Sequence, residues 1–320
     1  MTDLEAAARI SLYAPSVFNT QPWKWRISGD TMTLYADRSR ALAATDPDGR
    51  LLLLSCGAAL HHARVALAAA GHRVRVERLC DPGEPDLLAR ITVTGEQPAD
   101  PVAARLRDAA PRRRTDRRAY ADRPVTDAQL TTLRRAVEAE AAYLHVVRRD
   151  QMPMLAISAQ LAGDAEELDP AYREELRHWT NRPQGSGDGV PAATAVRPAL
   201  RRVPVRDFVP DGEAGLEAGT GYDAGTAYVI IFGLTDRPAD VLRGGEAMSA
   251  LLLAATADGL ATSPLSDAVE VEWPRQLLRG LLAGIGEPYI GVRIGYAESP
   301  TPPPAAPRRE PSDVIEKVRP

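Results

Sequence analysis

Apolar residues in the first part of the chain follow helical spacing in some stretches and strict alternation in others. Residues 2–12 predict a helix that ends before Pro15, because proline disfavours helical backbone in the residue preceding it. Apolar and polar residues alternate over 23–34, which predicts a β-hairpin turning at residues 28–30. The nearly all-apolar stretch 51–70 predicts a helix buried in the core, followed by a short strand.

The second part of the chain contains one long stretch without periodicity. Thr126 is placed to cap an amphipathic helix over 126–142, but from 169 to 225 the sequence fills with glycine, proline and arginine. We interpret residues 169–225 as a candidate lid over a binding site and call them the lid segment. The elements expected beyond it are a buried strand over 227–234, a buried helix over 246–260, a strand over 289–296 and a proline-rich tail.

Two segments resemble each other across the chain. Residues 57–77 and 245–265 both run from a helix rich in small residues through a glycine into an extended stretch. A separation of about 190 residues indicates a duplicated unit, although alanine-rich helices also resemble one another by chance.

Composition narrows the class of protein. A chain of 320 residues with 44% hydrophobic positions can bury a large core, and its net charge of −4 gives no general attraction to nucleic acid or acidic membranes. The N-terminus lacks a basic, apolar leader, and no run of 18 or more apolar residues occurs. We therefore expect a cytoplasmic protein that binds neither nucleic acid nor a membrane.

The cysteines and histidines do not form a metal-binding pattern. Cys56 and Cys80 are far apart in sequence, which argues against a zinc site and a disulfide scaffold. His61 and His62 are adjacent, so on a helix they point about 100° apart and cannot bind one metal ion together. We predict that both histidines pack against protein and that no metal is bound.

The segment 14–23, APSVFNTQPW, is the first candidate site. Ser16, Asn19 and Gln21 stand in a short loop whose backbone is restricted by two prolines. Their hydroxyl and amide groups suit hydrogen bonding to a planar heterocycle with carbonyl and imide edges. An ordinary turn is the alternative.

The segment 112–120, RRRTDRRAY, is the second candidate. Clustered arginines with a threonine hydroxyl can bind phosphate, whose charge requires cationic donors. The alternatives are a solvated charge run and nucleic-acid binding, the latter weakened by the acidic whole and the lack of interleaved aromatic residues.

Two further segments carry weaker signals. Residues 258–270, DGLATSPLSDAVE, lead from a helix end into a loop whose backbone amides can point at a ligand. Arg308 and Arg309 follow the proline spacer near the C-terminus, where a disordered tail is the alternative reading.

Together, these four segments resemble the nitroreductase superfamily, most closely its tandem-fused Acg-like branch, over nearly the whole chain. The most specific part is APSVFNTQPW, which resembles the family's PSxxNxQPW loop. The resemblance implies an α+β fold, FMN as cofactor, and a fused pseudodimer with related halves over 1–110 and 111–320. In the ordinary family two identical subunits share each flavin, one supplying PSxxNxQPW and the other an RxSxR segment.

The resemblance also implies the roles of individual residues. Ser266 and Asp267 replace the family's common Glu and Gly beside the flavin N5, and N5 itself carries the chemistry, so no catalytic side chain is expected. Each half lacks one of the two main motifs, which predicts one FMN per chain. The implied cofactor-binding residues are Pro15, Ser16, Val17, Asn19, Gln21, Arg113, Thr115, Arg117, Pro264, Leu265, Ser266, Arg308 and Arg309.

Two functions are compatible with these motifs. One is an NAD(P)H-dependent flavin oxidoreductase that reduces nitro, quinone or similar electrophilic acceptors. The other is a flavin-sequestering or storage protein, in which Trp179, Arg182 and Asp188 of the lid segment cover the ring and exclude nicotinamide. The chain would act as a monomeric pseudodimer or as a homodimer.

Overall fold

The N-terminal part of the protein contributes three helices and four strands of the first sheet. The computed structural model describes residues 1–183, 185–197, 199–210 and 212–318. The first seven elements are α1 (Asp3–Ser11), β1 (Trp23–Ser28), β2 (Thr31–Ala36), α2 (Arg50–Ala69), β3 (His72–Arg78), β4 (Leu87–Glu96) and α3 (Pro101–Ala109).

The remaining elements build a second sheet and then return to the first. They are α4 (Asp127–Glu138), β5 (Tyr143–Val146), α5 (Met152–Leu168), α6 (Pro170–Thr180), β6 (Ala227–Gly233), α7 (Pro238–Ala257), β7 (Ala261–Leu265), α8 (Asp267–Glu270), α9 (Glu272–Leu281), β8 (Glu287–Gly295), α10 (Pro311–Val314) and β9 (Ile315–Lys317).

The two sheets have the same topology. The first has the strand order β3-β4-β2-β1-β9 and the second β5-β6-β8-β7. Read from its other edge, the second order is β7-β8-β6-β5, which matches β3-β4-β2-β1 strand for strand, and every matched neighbour pair is antiparallel. The α+β prediction is confirmed, and the helix–strand–strand–helix–strand–strand succession occurs twice.

The repeated helices α2 and α7 cross where two glycines meet. A methyl group on Gly57 would lie 2.0 Å from the carbonyl oxygen of Leu242, and one on Gly245 would lie 2.0 Å from that of Leu54. The contact is reciprocal, as at a two-fold axis, because each glycine touches the residue three positions before the other. These are the glycines that begin the two similar sequence segments.

Helix α2 lies in the core between the two sheets. It is long and apolar enough to cross a membrane by length and composition, but 83% of its apolar window is buried inside the protein. That burial is typical of a core helix. His61 and His62 are buried on it, each with Nδ1 2.8 Å from the Ser249 hydroxyl, so both pack against protein.

The C-terminal tail returns to the first sheet. Strand β9 pairs in parallel with β1, from Trp25 opposite Ile315 to Ile27 opposite Lys317. The proline-rich stretch before it is therefore held at both ends, by β8 and by β9. The disordered tail considered from the sequence is not what the described residues adopt.

Several predicted boundaries need correction. Residues 170–180, which the sequence places in an aperiodic segment, form α6 with Asp169 as its N-cap. Helix α7 begins at Pro238 rather than 246, because its first two turns contain a charged residue in each turn and two glycines that mask the apolar period. The sequence reading also leaves out β4, α3, β5, α5, α8 and α9.

The glycine crossing gives a stability prediction. Gly57→Ala should lower the free energy of unfolding by about 3 kcal/mol, because its methyl group meets backbone that cannot rotate away. The matched control is Gly163→Ala in α5, where nothing lies within 4 Å of the new methyl group. It should be stabilising by about 0.5–1 kcal/mol. Urea unfolding of both variants measures the difference, and equal effects would refute the close-contact explanation.

Candidate functional site

A cavity of about 320 Å³ lies where four distant parts of the chain meet. They are the loop 13–19 after α1, the segment 111–117 after α3, residues 189–194 of the lid segment, and the tail at 304–308. Arg113, Arg114, Arg117 and Arg308 line it, together with Tyr13, Pro15, Ser16, Phe18, Asn19, Pro111, Thr115, Gly189, Val190, Thr194, Pro304, Ala305 and Ala306. We call it the arginine cavity.

A smaller cavity of about 70 Å³ adjoins the arginine cavity. The two share Pro15, Ser16, Phe18, Thr115 and Arg117, so they lie side by side. The other walls of the smaller cavity are largely apolar, and we call it the apolar cavity. They are Val17, Leu54, Ser55, Phe208, Met248, Pro264, Ser266 and Ile290.

The loop of residues 15–21, which we call the N-terminal loop, has an unusual backbone. Phe18, Asn19 and Gln21 have φ values of 50°, 54° and 50°, in the left-handed region that favours glycine. Such residues cost roughly 1–3 kcal/mol each and persist only where the surroundings hold them. The two ends of the loop are also joined, because the backbone amide of Gln21 donates to the Ser16 hydroxyl at 2.9 Å.

The lid segment and the tail hold this strained loop in place. The Asn19 side-chain amide donates to the carbonyls of Gly189 and Pro307, each at 3.0 Å, and accepts from Arg308 Nη1 at 2.6 Å. Gln21 Nε2 donates to the Gly187 carbonyl at 2.8 Å. The side-chain amides of Asn19 and Gln21 are therefore hydrogen-bonded to the lid segment, and that of Asn19 also to the tail.

The segment that carries the arginines is fixed against the second sheet. Thr115 forms a parallel bridge with Thr262 of β7, and the Asp116 backbone amide donates to the Thr262 carbonyl at 2.9 Å. Arg293 of β8 donates to the Asp116 carbonyl at 2.9 Å. These bonds fix the position of the segment that carries Arg113 and Arg117 relative to β7, which contains Pro264.

Among the described residues, four arginines line the arginine cavity and no carboxylate does. Their hydrogen bonds go to neutral oxygens, as from Arg113 to the Tyr13 carbonyl at 3.3 Å and from Arg117 to the Thr194 carbonyl at 3.4 Å. Burial and the neighbouring Arg308 and Arg114 lower the pKa of Arg113, and burial lowers those of Arg117 and Arg308. The cavity wall is thus positively charged without compensation.

Arg113 is the clearest sign that an anion belongs here. It is 5% exposed, and its Nε and Nη1 have no hydrogen-bond partner. A buried cation with unsatisfied donors is costly, so a ligand with negative oxygens would be strongly stabilising. A phosphate group supplies the required charge and acceptors. Among the described residues, no group of three or more His, Cys, Asp or Glu side chains is placed to hold a metal ion.

The structure gathers most, but not all, of the residues that the sequence selects. Gln21, Leu265 and Arg309 do not line either cavity. Arg309 instead donates to the Gln21 carbonyl at 3.0 Å and lies 3.3 Å from Asp37, which ties the tail to β1. The ten that line one or both cavities are Pro15, Ser16, Val17, Asn19, Arg113, Thr115, Arg117, Pro264, Ser266 and Arg308.

The three lid residues selected from the sequence lie outside both cavities. Asp188 is 2.8 Å from Arg182 and also pairs with Arg40, which keeps the pKa of Asp188 lowered to about 2 despite its burial. Trp179 packs in a small core with Tyr172 and Leu176. These residues fasten the lid segment, while its Gly189, Val190, Thr194 and Phe208 reach the cavities.

Some cavity residues carry no signal in the sequence. Ser55 and Met248 belong to apolar core helices, where no pattern distinguishes a wall residue from a packed one. Phe208 stands in an aperiodic stretch and approaches Phe18, 190 positions away, with ring centres 6.1 Å apart. Only the tertiary arrangement identifies these residues.

Comparison with known proteins assigns the family. No protein-family profile matches the chain. The Mycobacterium tuberculosis protein named "Putative NAD(P)H nitroreductase acg" is 39% identical over 322 residues, which cover 99% of this chain and 96% of that protein. The chain belongs to the Acg branch of the nitroreductase family.

Further M. tuberculosis relatives align over most of this Acg-type chain. A second protein, named "Putative NAD(P)H nitroreductase Rv3131", is 39% identical, with 96% of this chain and 89% of its own length covered. A third, named only as an uncharacterized protein, is 36% identical, with 99% and 93% covered.

Solved structures resemble the Acg-type chain only distantly. The FMN-dependent nitroreductase NfnB from Mycobacterium smegmatis, in complex with NADPH, has a TM-score of 0.41 at 16% identity, with 66% of this chain and 97% of that one covered. A nitroreductase from Anabaena variabilis has a TM-score of 0.43 at 10% identity, with 84% and 69% covered.

The uncompensated arginines predict that inorganic phosphate stabilises the protein. At a phosphate concentration 100 times Kd the stabilisation should be about 2.7 kcal/mol, measured as a rise in Tm against chloride at equal ionic strength. Arg113→Met should abolish the rise and leave the phosphate-free protein at least as stable, because it deletes a buried, unpaired charge while keeping apolar volume.

The exposed neighbour Arg112 provides the control for this measurement. Arg112→Ala should keep the full response to phosphate. An equal response in both variants would mean that phosphate acts on the general surface rather than in the arginine cavity.

Proposed function

We propose that the Acg-type chain binds FMN across the two cavities and acts as an NAD(P)H-dependent flavin oxidoreductase. The observation that carries the proposal is a pair of adjoining cavities. The described residues line one of them with four arginines and no carboxylate, and the other is largely apolar. A phosphorylated, planar cofactor needs both environments, one for its charge and one for its ring.

The protein's own groups have distinct roles in this proposal. Arg113, Arg114 and Arg308 would bind the phosphate, since they line only the arginine cavity, and Arg117 stands at the junction. The ring would lie among the apolar walls, beside the backbone of Pro264 to Ser266. FMN supplies hydride acceptance from NAD(P)H and electron delivery to a nitro, quinone or similar electrophilic acceptor. No side-chain acid or base is required.

The names of the relatives support the same assignment. Two of them are named as NAD(P)H nitroreductases and align over almost the whole chain. A cytoplasmic location and action as a monomeric pseudodimer or homodimer remain predictions from the sequence. So do Gln21, Leu265 and Arg309 as contributors to cofactor binding, and Trp179, Arg182 and Asp188 as lid residues over the ring.

Flavin sequestration is the second candidate function, favoured by the position of the lid segment. The lid segment lines both cavities, the arginine cavity with Gly189, Val190 and Thr194 and the apolar cavity with Phe208. Arg117 donates to the Thr194 carbonyl and stacks on Phe208 at 4.2 Å. A flavin held beneath this cover would be shielded from nicotinamide.

The phosphate assignment is tested by removing two arginines. Arg113→Ala with Arg117→Ala should yield folded, colourless protein with FMN affinity reduced at least about 100-fold, because two charge-assisted interactions are lost. The visible spectrum and calorimetric titration with FMN measure this. Retention of yellow protein would refute the assignment, and Arg112→Ala again serves as the control.

Stoichiometry tests the one-site arrangement. One FMN per chain is expected, because the N-terminal loop and the segment 111–117 each occur once in the sequence and meet at one cavity. Flavin absorbance against protein mass, measured by amino-acid analysis, gives the ratio. A value near two would require a second site and would contradict the proposal.

The two candidate functions can be distinguished by whether NADH or NADPH reduces the bound flavin. Under anaerobic conditions, NADH or NADPH should bleach the flavin band of an oxidoreductase. A flavin that stays oxidised with both nucleotides, yet is bleached by dithionite, would favour sequestration.

A further inference from the structure

A buried arginine of the lid segment, Arg206, lies behind the wall of the apolar cavity without lining it. Its Nη2 is 3.1 Å from Glu166 Oε1 of α5 and 2.6 Å from Glu270 Oε2 of α8. All three side chains are less than 10% exposed. Arg206 therefore joins the lid segment to the helices α5 and α8. Helix α8 directly follows Ser266, which lines the apolar cavity.

The same guanidinium contacts the aromatic part of the wall. Its Cζ lies 5.2 Å from the ring centre of Phe18, 5.8 Å from that of Phe208 and 5.7 Å from that of Tyr172. Phe18 and Phe208 both line the apolar cavity, and their rings meet edge to face. Arg206 thus supports the two aromatic rings that face the cavity from opposite parts of the chain.

Phe18 needs this support more than an ordinary wall residue does. It stands in the strained N-terminal loop, at a φ of 50°. The hydrogen bonds of Asn19 and Gln21 hold the loop on the side of the tail and of residues 187–189. On the other side, the loop is held through the Phe18 ring, which packs against Arg206, Tyr172 and Phe208.

Both the charge and the shape of Arg206 are used at this position. Burial acts against its charge, but the carboxylates of Glu166 and Glu270 raise the pKa of Arg206. A planar guanidinium can pair with carboxylates at its edge and stack on rings with its faces, which a lysine ammonium cannot do. Lysine would keep the charge and lose the stacking.

We propose that Arg206 is a positioning residue of the cofactor site. Through Phe18 and Phe208 it fixes the N-terminal loop and the wall of the apolar cavity. The inference rests on the proposed FMN function for its consequence, since the wall is the one that would pack against the isoalloxazine. Its structural part can be tested without any cofactor.

Hydrogen exchange of the cofactor-free protein is the first test. In the described structure, the amides of Val17, Asn19 and Gln21 donate to Ser55, to the Ser16 carbonyl and to the Ser16 hydroxyl. In Arg206→Ala these amides should exchange at least about tenfold faster, a factor that corresponds to loss of one buried cation–π contact. Arg202→Ala, exposed in the same segment, should leave them unchanged.

The conservative variant separates positioning from general destabilisation. Arg206→Lys keeps the ion pair and should restore Tm, but it should restore the exchange protection of the N-terminal loop only in part. If Arg206→Ala does not fold, Phe208→Leu leaves the ion pair intact and should accelerate the same amides. Wild-type exchange rates in folded Arg206→Ala, or in Phe208→Leu, would overturn the proposal.

Flavin release is the second test. Arg206→Ala should release FMN at least about tenfold faster than the wild type and expose the bound flavin to iodide quenching, whereas Arg202→Ala should not. Wild-type protein that binds no FMN would refute the proposed function, and the exchange experiment would still decide the role of Arg206. Wild-type release from Arg206→Ala would refute the positioning role while leaving FMN binding intact.

Discussion

Uncompensated positive charge in a buried place is the constraint on which the site depends. Four arginines surround one cavity to which the described part of the chain contributes no carboxylate, and a fold bears that cost only when other contacts hold the arginines together. Here those contacts are hydrogen bonds to main-chain carbonyls and to the Asn19 side chain, which orient the guanidinium groups without neutralising them. The charge remains available to a ligand for that reason.

The duplicated topology explains why these parts converge. The halves pack through α2 and α7 at a reciprocal glycine contact, which brings the loop after α1 close to the segment preceding α4. The two repeats differ in what connects their first two strands. Between β5 and β6 the second half carries α5, α6 and the lid segment, whereas β1 and β2 are joined by a tight turn. The cover over the cavities comes from this insertion.

Local motifs in the sequence predict more of the site than long-range pairings do. The N-terminal loop, Arg113, Arg117 and Arg308 belong to short patterns with fixed spacing, and the structure brings them together as expected. Arg309 and Gln21 satisfy the same patterns, but in the structure they bind each other. The sequence does not predict this contact, because neither spacing nor residue type identifies a partner 288 positions away. The fold shows the same division. Strong periods identify α1, β1, β2, α2, α4 and β6, while the four-residue strand β5 is too short to show one. Helix α6 has its buried residues Tyr172, Leu176 and Trp179 at helical spacing, but its many charged residues and the glycine- and proline-rich stretch after it conceal that period in the sequence.

The return of the tail to β1 has a consequence for biosynthesis. The wall of the arginine cavity includes residues 304–308, and until β9 pairs with it, β1 is an unprotected edge of the first sheet. A ribosome that has made the N-terminal loop must still add nearly 290 residues before that wall exists, roughly fifteen seconds or more at ordinary elongation rates. The proposed binding of FMN would therefore have to wait until the tail is translated, and the nascent chain must keep its first sheet from associating with other chains until then.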